Sequence, residues 1–269
     1  MLNISDLSTF TLLFSGFLLL NFALFAFGGY YFFYRFLGPG IPHRKILEKD
    51  ATASQMNKEK LRSLHTQVVF LILGVILYAL YKLGLTRIYL QWDQRGAVYF
   101  ILSYFIMHQL HDAYFYWTHR LMHQWEPIRK FHFVHHESSP PTPFSALSFH
   151  PVEALVQGFF WIVIALVLPI SHWWMFSFYS FMLYINMWGH TSYEFWHRDL
   201  MTHPVLKILN TPTHHNLHHK FHNANYSIYY NFWDKVCGTN HPEYQIHYQQ
   251  VKVRTEAGKT SRVMKKMKL

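Results

Sequence analysis

The chain has 269 residues, of which 51% are hydrophobic, 19% aromatic and only 14% charged, with a formal net charge of +10 and one cysteine, Cys237. So few charges, against roughly 25% in soluble domains, argue for one compact membrane domain. A single cysteine excludes an intramolecular disulfide and any Fe–S cluster or cysteine-rich zinc site built from this chain alone, and leaves Cys237 as a small packing residue.

In chain order, an apolar stretch over about residues 10–34 comes first. It lacks a basic leading segment and a small-residue cleavage site, and it is too long for a signal core, so it reads as a retained anchor. A second span is expected over about 66–86, and a third over about 97–117, interrupted late by His108, His111 and Asp112. The block at about 152–188 exceeds one crossing of roughly 20 residues. "LPISHWW" at 168–174 puts a proline and polar residues in its middle, so 152–168 and 172–188 form a helical hairpin that either crosses or dips into the bilayer. Tyr114, Tyr116, Trp117, Trp173 and Trp174 read as interfacial aromatics.

Basic residues set the orientation. The 35–65 loop carries Arg35, Arg44, Lys45, Lys49, Lys58, Lys60 and Arg62, whereas 87–96 holds only Arg87 and Arg95; the chain ends in "KTSRVMKKMKL". The positive-inside rule places the 35–65 loop and the C-terminal region in the cytoplasm, and an even-numbered hairpin puts 118–150 there too. The cations form no single stripe among polar residues, which points to an anionic membrane surface and not to nucleic acid.

That face gathers three histidine clusters: "HRLMH" (119–123), "HFVHH" (132–136) and "THHNLHH" (213–219). Residues three and four apart share a helix face, so His119 with His123 can address one metal. His132, His135 and His136, like His215, His218 and His219, can hold one ion or bridge two. Imidazole without carboxylate suits Fe, Zn, Cu or Ni and argues against Mg or Ca. Eight imidazoles exceed the four a structural zinc needs and suffice for two metals.

The order HxxxH, HxxHH, HxxHH resembles the membrane-bound fatty acid hydroxylase/sterol desaturase superfamily. The flanks "DAYFYWTHRLMH", "PTPFSALSFHPVEA", "GHTSYEF" and "NYSIYYNFWDKVCGT" agree, over about residues 100–240, and "PTPFSALSFHP" is most similar to the sterol C5-desaturase branch. The resemblance implies an all-α polytopic membrane protein. It would have about four transmembrane helices, or two plus a hairpin, under a cytosolic histidine-rich cap. It divides the chain into N-terminal helices with a basic loop (1–96), a catalytic region (97–240) and a basic tail (241–269). It implies a di-iron centre, with zinc substituting in recombinant material, that uses O2 to hydroxylate or desaturate a lipid. His119, His123, His132, His135, His136, His215, His218 and His219 become ligands and catalytic residues by the match, with His190 of "GHTSYEF" as a ninth.

Where the fatty acid 2-hydroxylase pattern has a further histidine four residues after that one, this chain has Glu194, which is either a ligand or an acceptor for a ligand imidazole. His197 is a weaker ligand candidate, and His214 a neighbour. Asp112, Glu153 and Asp234 lie beside the boxes, suited to orienting ligand imidazoles; for Asp112 and Asp234 the alternative is capping helices or pairing with Arg120 and Lys235. Asn225 and Tyr226 shape the final loop. No dinucleotide fingerprint or haem domain is legible, so the resemblance implies an external electron donor, such as cytochrome b5 or ferredoxin with its reductase, docking on the basic face. The location expected is an integral membrane with the boxes on the cytoplasmic side, endoplasmic reticulum in a eukaryote or inner membrane in a bacterium. Two rivals fit less well. A zinc hydrolase needs HExxH, and "HESSP" (136–140) fails it. A metal-binding protein or transporter would set ionisable ligands along the spans, and here they lie beyond them.

Overall fold

The computed structural model describes residues 6–196 and 198–267. Helix α1, Leu7–Gly40, is capped by the Asp6 carboxylate, which accepts from Thr9 N at 2.7 Å. It is α-helical to Phe22, passes through π turns at Ala23–Phe27 and Tyr31–Leu37, and stops at Gly38-Pro39-Gly40.

Helix α2, Ala53–Lys82, begins well before the expected residue 66. Thr52 caps it, accepting from Gln55 N at 3.1 Å, and its first turns are polar because they meet protein instead of lipid. Ser63 Oγ donates to Phe144 O at 2.7 Å, Gln55 Nε2 to Pro140 O at 2.8 Å, and Glu59 accepts from the Thr142 hydroxyl. Apolarity starts only where the helix leaves this polar packing, so an apolar run marks the span and misses the helix. The same holds for α3, Ala97–Gln124, which continues past 117 to carry the first histidine pair.

After a break at Trp125, Pro127 in the first turn restarts the chain as α4, Glu126–His136. Helices α5, Pro151–Val167, and α6, His172–Gly189, form the expected hairpin. At its tip Ile170–Ser171 (β2) pairs in parallel with Ile88–Tyr89 (β1), a short two-stranded element in a mostly helical fold. Helix α7, Pro212–Phe221, starts at Thr211, whose hydroxyl accepts from His214 N at 3.2 Å, and ends with His222 left-handed at φ 65°. Short α8, Phe232–Val236, and long α9, Tyr244–Met267, complete the order.

The helices pack closely. A Cβ at Gly74 would strike the Phe14 ring, and one at Gly158 would strike Leu73, so small residues let α1, α2 and α5 approach. Among the described residues α1 and α2 are long and apolar enough to cross a membrane, and α5 is a shorter apolar helix. At about 1.5 Å per residue α5 and α6 measure about 25–27 Å, slightly under a hydrocarbon core of about 30 Å. Outward-facing Leu12, Leu20, Val68, Ile72 and Phe105 are exposed, a surface suited to lipid.

Candidate metal centre

Four elements bring the histidines together. The end of α3 supplies His119 and His123, α4 supplies His132, His135 and His136, the C-cap of α6 supplies His190, and α7 supplies His215, His218 and His219. They sort into two groups, each with ligand atoms within 4.8 Å of one another: His119, His123, His132, His136 and His218, and then His135, His190, His215 and His219. Each HxxHH box is shared. The i,i+4 pairs 132/136 and 215/219 stay together, while His135 and His218 turn to the other group.

In the first group His132 Nε2 lies 3.1 Å from His119 Nε2, 2.9 Å from His123 Nε2 and 3.0 Å from His136 Nε2. In the second, His190 Nε2 lies 3.2 Å from His135, 3.1 Å from His215 and 3.2 Å from His219, all at Nε2. Opposite ring edges fix the protons. His119 Nδ1 donates to Tyr226 O, His218 Nδ1 to Ala224 O, His190 Nδ1 to Asn186 O and His132 Nδ1 to a Glu153 carboxylate oxygen, all at 2.7 Å. A backbone carbonyl carries no proton to give, so in His119, His218 and His190 Nδ1 holds it and Nε2 presents a lone pair; the buried Glu153 carboxyl shares the proton of its contact with His132.

Converging lone pairs at such distances repel one another and cannot hydrogen-bond; a cation between them relieves the conflict. With metal–nitrogen bonds of about 2.0–2.1 Å, the edge between two ligands is about 2.9 Å in an octahedron and about 3.3–3.4 Å in a tetrahedron. The separations fall in that range, so the residues fit a metal in each group. Electrostatics agree. Burial, with facing imidazoles adding to it, holds His132, His135, His136, His215, His218 and His219 well below the usual histidine range. Burial brings His119 and His190 down to about 4, opposed by their carbonyl partners. The site is kept neutral and metal-ready.

The remaining candidates lie elsewhere. Glu194 stands outside both groups: one carboxylate oxygen accepts from Trp196 N at 3.0 Å, and the other from Thr213 N at 3.1 Å and Thr213 Oγ1 at 2.7 Å. It anchors the start of α7, where the box begins. His197 lies outside the described residues. His214 is turned away from both groups, its Nε2 3.3 Å from Asp234 Oδ2. Of the three carboxylates beside the boxes, Glu153 is the one hydrogen-bonded to an imidazole of the two groups. Asp234 accepts from Tyr226 N and Ser227 N, both at 2.9 Å, and so holds the loop whose carbonyls orient His119 and His218. Asp112 accepts from Tyr229 N at 3.3 Å. Asn225, left-handed at φ 61°, ties the same loop to His241 N at 2.7 Å.

Sequence reasoning missed the carbonyl acceptors, since a backbone oxygen has no letter. It also missed His222, whose ring centroid is 4.6 Å from that of His136; its place four residues after His218 was the available signal.

A cavity of about 470 Å³ borders the second group. Gly189 and His215 line it, as do Phe181, Tyr184 and Ile185 of α6 and His108 of α3. From Gly189 to Phe181 it follows α6 for about 12 Å at 1.5 Å per residue. Among the described residues no lysine or arginine lines it.

A helical scaffold with membrane-length apolar helices and a buried, histidine-only pair of potential metal sites defines a class of protein. The family model for fatty acid hydroxylase matches residues 104–239, half of the chain and every residue of both groups. The chain belongs to the fatty acid hydroxylase family. It is 29% identical over 180 residues to Delta(7)-sterol 5(6)-desaturase ERG3B of Gibberella zeae, covering 65% of this chain and 54% of that one. It is 27% identical over 129 residues to lathosterol oxidase of Homo sapiens (48% and 41%). It is also 27% identical over 163 residues to Delta(7)-sterol 5(6)-desaturase ERG3 of Saccharomyces cerevisiae (58% and 41%). These matches bear out the likeness to the sterol C5-desaturase branch, and the chain spans about half the length of such relatives or less. No solved structure matches.

Proposed function

We propose that this chain is an O2-dependent di-iron membrane oxidoreductase that hydroxylates or desaturates a lipid, sterol or fatty acyl, at an aliphatic C–H position. One observation carries the reading: His215 belongs to the second imidazole group and also lines the apolar cavity. The relatives named as sterol desaturases and a lathosterol oxidase favour a sterol-like substrate.

The nine imidazoles of the two groups hold the ions. Iron with O2 supplies the strong oxidant that an unactivated C–H bond demands and that no side chain provides. The chain's own residues do the rest. Tyr226, Ala224 and Asn186 carbonyls and the Glu153 carboxylate keep four ligand rings in the Nδ1–H form and fixed in orientation. Phe181, Tyr184 and Ile185 offer an apolar wall that aligns a hydrocarbon along α6 and keeps water from the carbon nearest His215. A cavity with no charged side chain among its described lining residues suits a neutral lipid. Glu194 does not ligate in this reading, and His197 is not needed to complete either group.

The domain division at 97 and 240, four membrane crossings, a cytoplasmic cap, and an external electron carrier such as cytochrome b5 or ferredoxin with its reductase all belong to the proposal. Zinc outranks Fe(II) in intrinsic affinity and is expected in part of a recombinant preparation. The deciding experiment pairs elemental analysis with lipidomics of a host expressing the chain or its His135→Ala variant. About two transition-metal ions per chain and a new oxidised lipid, lost in the variant, are expected. Metal without any lipid change under reducing-partner supply would return the chain to a metal-binding or transport role.

A further inference from the structure

The outer side of the segment that lines the cavity is greasy. Residues 205–210 and 229–236 are tied into one unit: Asn210 N donates to Tyr229 O at 2.9 Å, Asn231 N to Ile208 O at 2.8 Å, and Asn231 Nδ2 to Lys207 O at 3.0 Å. Leu209 and Tyr230 form an antiparallel bridge between the two strips. Inward, this unit gives the cavity Leu209, Asn210, Tyr229 and Tyr230. Outward, it exposes Val205, Leu206, Ile208, Phe232 and Val236, the two valines each at 64%. Five large apolar side chains side by side on a loop and a one-turn helix need a covering.

The surroundings say which one. Trp233 of α8 stacks on Tyr116 with ring centroids 6.0 Å apart and lies 5.9 Å from Trp117, so the unit leans on the cap-proximal end of α3. There Leu110, Trp117 and Leu121 are exposed, and Trp233 joins the patch to that end of the helix. Its rim is cationic. Lys207 and Lys235 are exposed on the unit itself, and the Arg120 guanidinium lies 5.8 Å from the Trp117 ring. Apolar side chains ringed by tryptophan and by long cations match the chemistry of an anionic membrane interface, where aromatic rings settle and lysine heads reach to phosphate.

We propose that residues 205–208 and 232–236 form a membrane-embedded shoulder of the cap, seated in the headgroup and upper acyl region of an anionic bilayer. It lies beside the cavity. Tyr184, a cavity-lining residue of α6, is itself exposed. With the shoulder sunk in lipid, a hydrocarbon passes laterally from bilayer to cavity without meeting bulk water. This rests on the membrane reading given above, and extends it from the long helices to the cap.

The test is depth-dependent fluorescence quenching of the full chain in phosphatidylcholine–phosphatidylglycerol vesicles. In a Cys237→Ser background, an environment-sensitive label goes on Val205→Cys or Val236→Cys, with Ile72→Cys of α2 as a span control and Glu126→Cys as a water control. Loss of emission at 205 and 236 with lipids brominated just below the headgroup, little loss with aqueous iodide, and strong loss at 72 with deeply brominated lipids are expected. Iodide quenching at 205 and 236 alongside lipid quenching at 72 would overturn the shoulder and leave the spans intact. Iodide quenching at 72 would take down both. Self-quenching at 205 that grows with protein-to-lipid ratio and ignores brominated lipid would assign the patch to a second copy of the chain and overturn the proposal as well.

Discussion

The two imidazole groups are built from the same boxes, yet they are not alike. The first has five members, and three of them have the outer ring nitrogen held, His119 and His218 by carbonyls and His132 by Glu153. The second has four, with His190 held in this way by Asn186 O and His135 beside the Ser148 backbone. The smaller group is the one that meets the cavity, through His215. Metal sites that hold structure tend to be ligand-saturated, while sites that meet substrate keep a position open. The group with fewer members is thus the one with a residue on the cavity wall.

That contrast is broken most directly at its hubs. His132 and His190 each approach three partners of their own group. In His190→Ala the second group loses its centre while the first keeps all five members. We expect metal content to fall from about two ions per chain to about one, with lipid turnover abolished. His132→Ala should give the mirror result. Elemental analysis of both variants reads it directly, and loss of both ions from either variant would mean that the groups form one inseparable site.

Acid should act on both groups together. His119 of the first and His190 of the second are each held at about 4 when folded, against an ordinary value of 6.5. Between those limits the unfolded chain binds protons that the folded chain refuses, so stability falls as pH falls from about 6.5 towards 4 and is unaffected above that window. The chelator-treated protein should show a melting temperature that declines through this range, and metal loading should decline with it because protons compete for Nε2. A flat profile from pH 7 to 4 would contradict the burial that defines the site.

Much of this centre is legible in the sequence. Eight of the nine histidines could be grouped because helical spacing is local: residues three and four apart meet wherever the helix goes, whereas His190 was reached only through the resemblance of "GHTSYEF". Their division into five and four was not legible. It depends on which way His135 and His218 lean, and that is set by α4 crossing α7 in space. The hairpin at 152–188 was read closely because Pro169 breaks one long apolar run. The starts of α2 and the end of α3 were missed because polar helix buried against polar loop leaves no hydropathy signal. Glu153 could be guessed from its nearness to the boxes, whereas the carbonyls of Ala224 and Asn186 could not.

Glu153→Gln probes the better-supported group. His132 Nδ1 donates to this carboxylate, and the amide that replaces it keeps one acceptor oxygen while losing the charge that raises ligand basicity. Metal affinity of the first group is expected to fall roughly 10–100-fold, with the second group unchanged. Competitive chelator titration separates the two. Equal weakening of both ions would show that Glu153 supports the whole scaffold and not one ring.

The smallest effect expected is at Glu194, and it sharpens the contrast from the side of the second group. Were this carboxylate a ligand, its replacement by an amide would empty that site. The structure puts its oxygens on Trp196 N, Thr213 N and Thr213 Oγ1, three donors that take up most of its acceptor sites, and it belongs to neither imidazole group. Glu194→Gln keeps one oxygen as an acceptor but turns an NH2 group towards a partner that only donates. One or two hydrogen bonds to a charged group are lost, each worth about 1.5–3 kcal/mol. The start of α7 should loosen, lowering the melting temperature by several degrees. His215, His218 and His219 sit further along the same helix, after the Thr211 cap and Pro212 have already fixed its direction. Metal stoichiometry should therefore hold, with turnover reduced only modestly. Elemental analysis beside a thermal melt distinguishes the roles: an intact melt with the second ion gone would make Glu194 a ligand after all, and a lowered melt with both ions retained would keep it as the anchor of the helix that carries them.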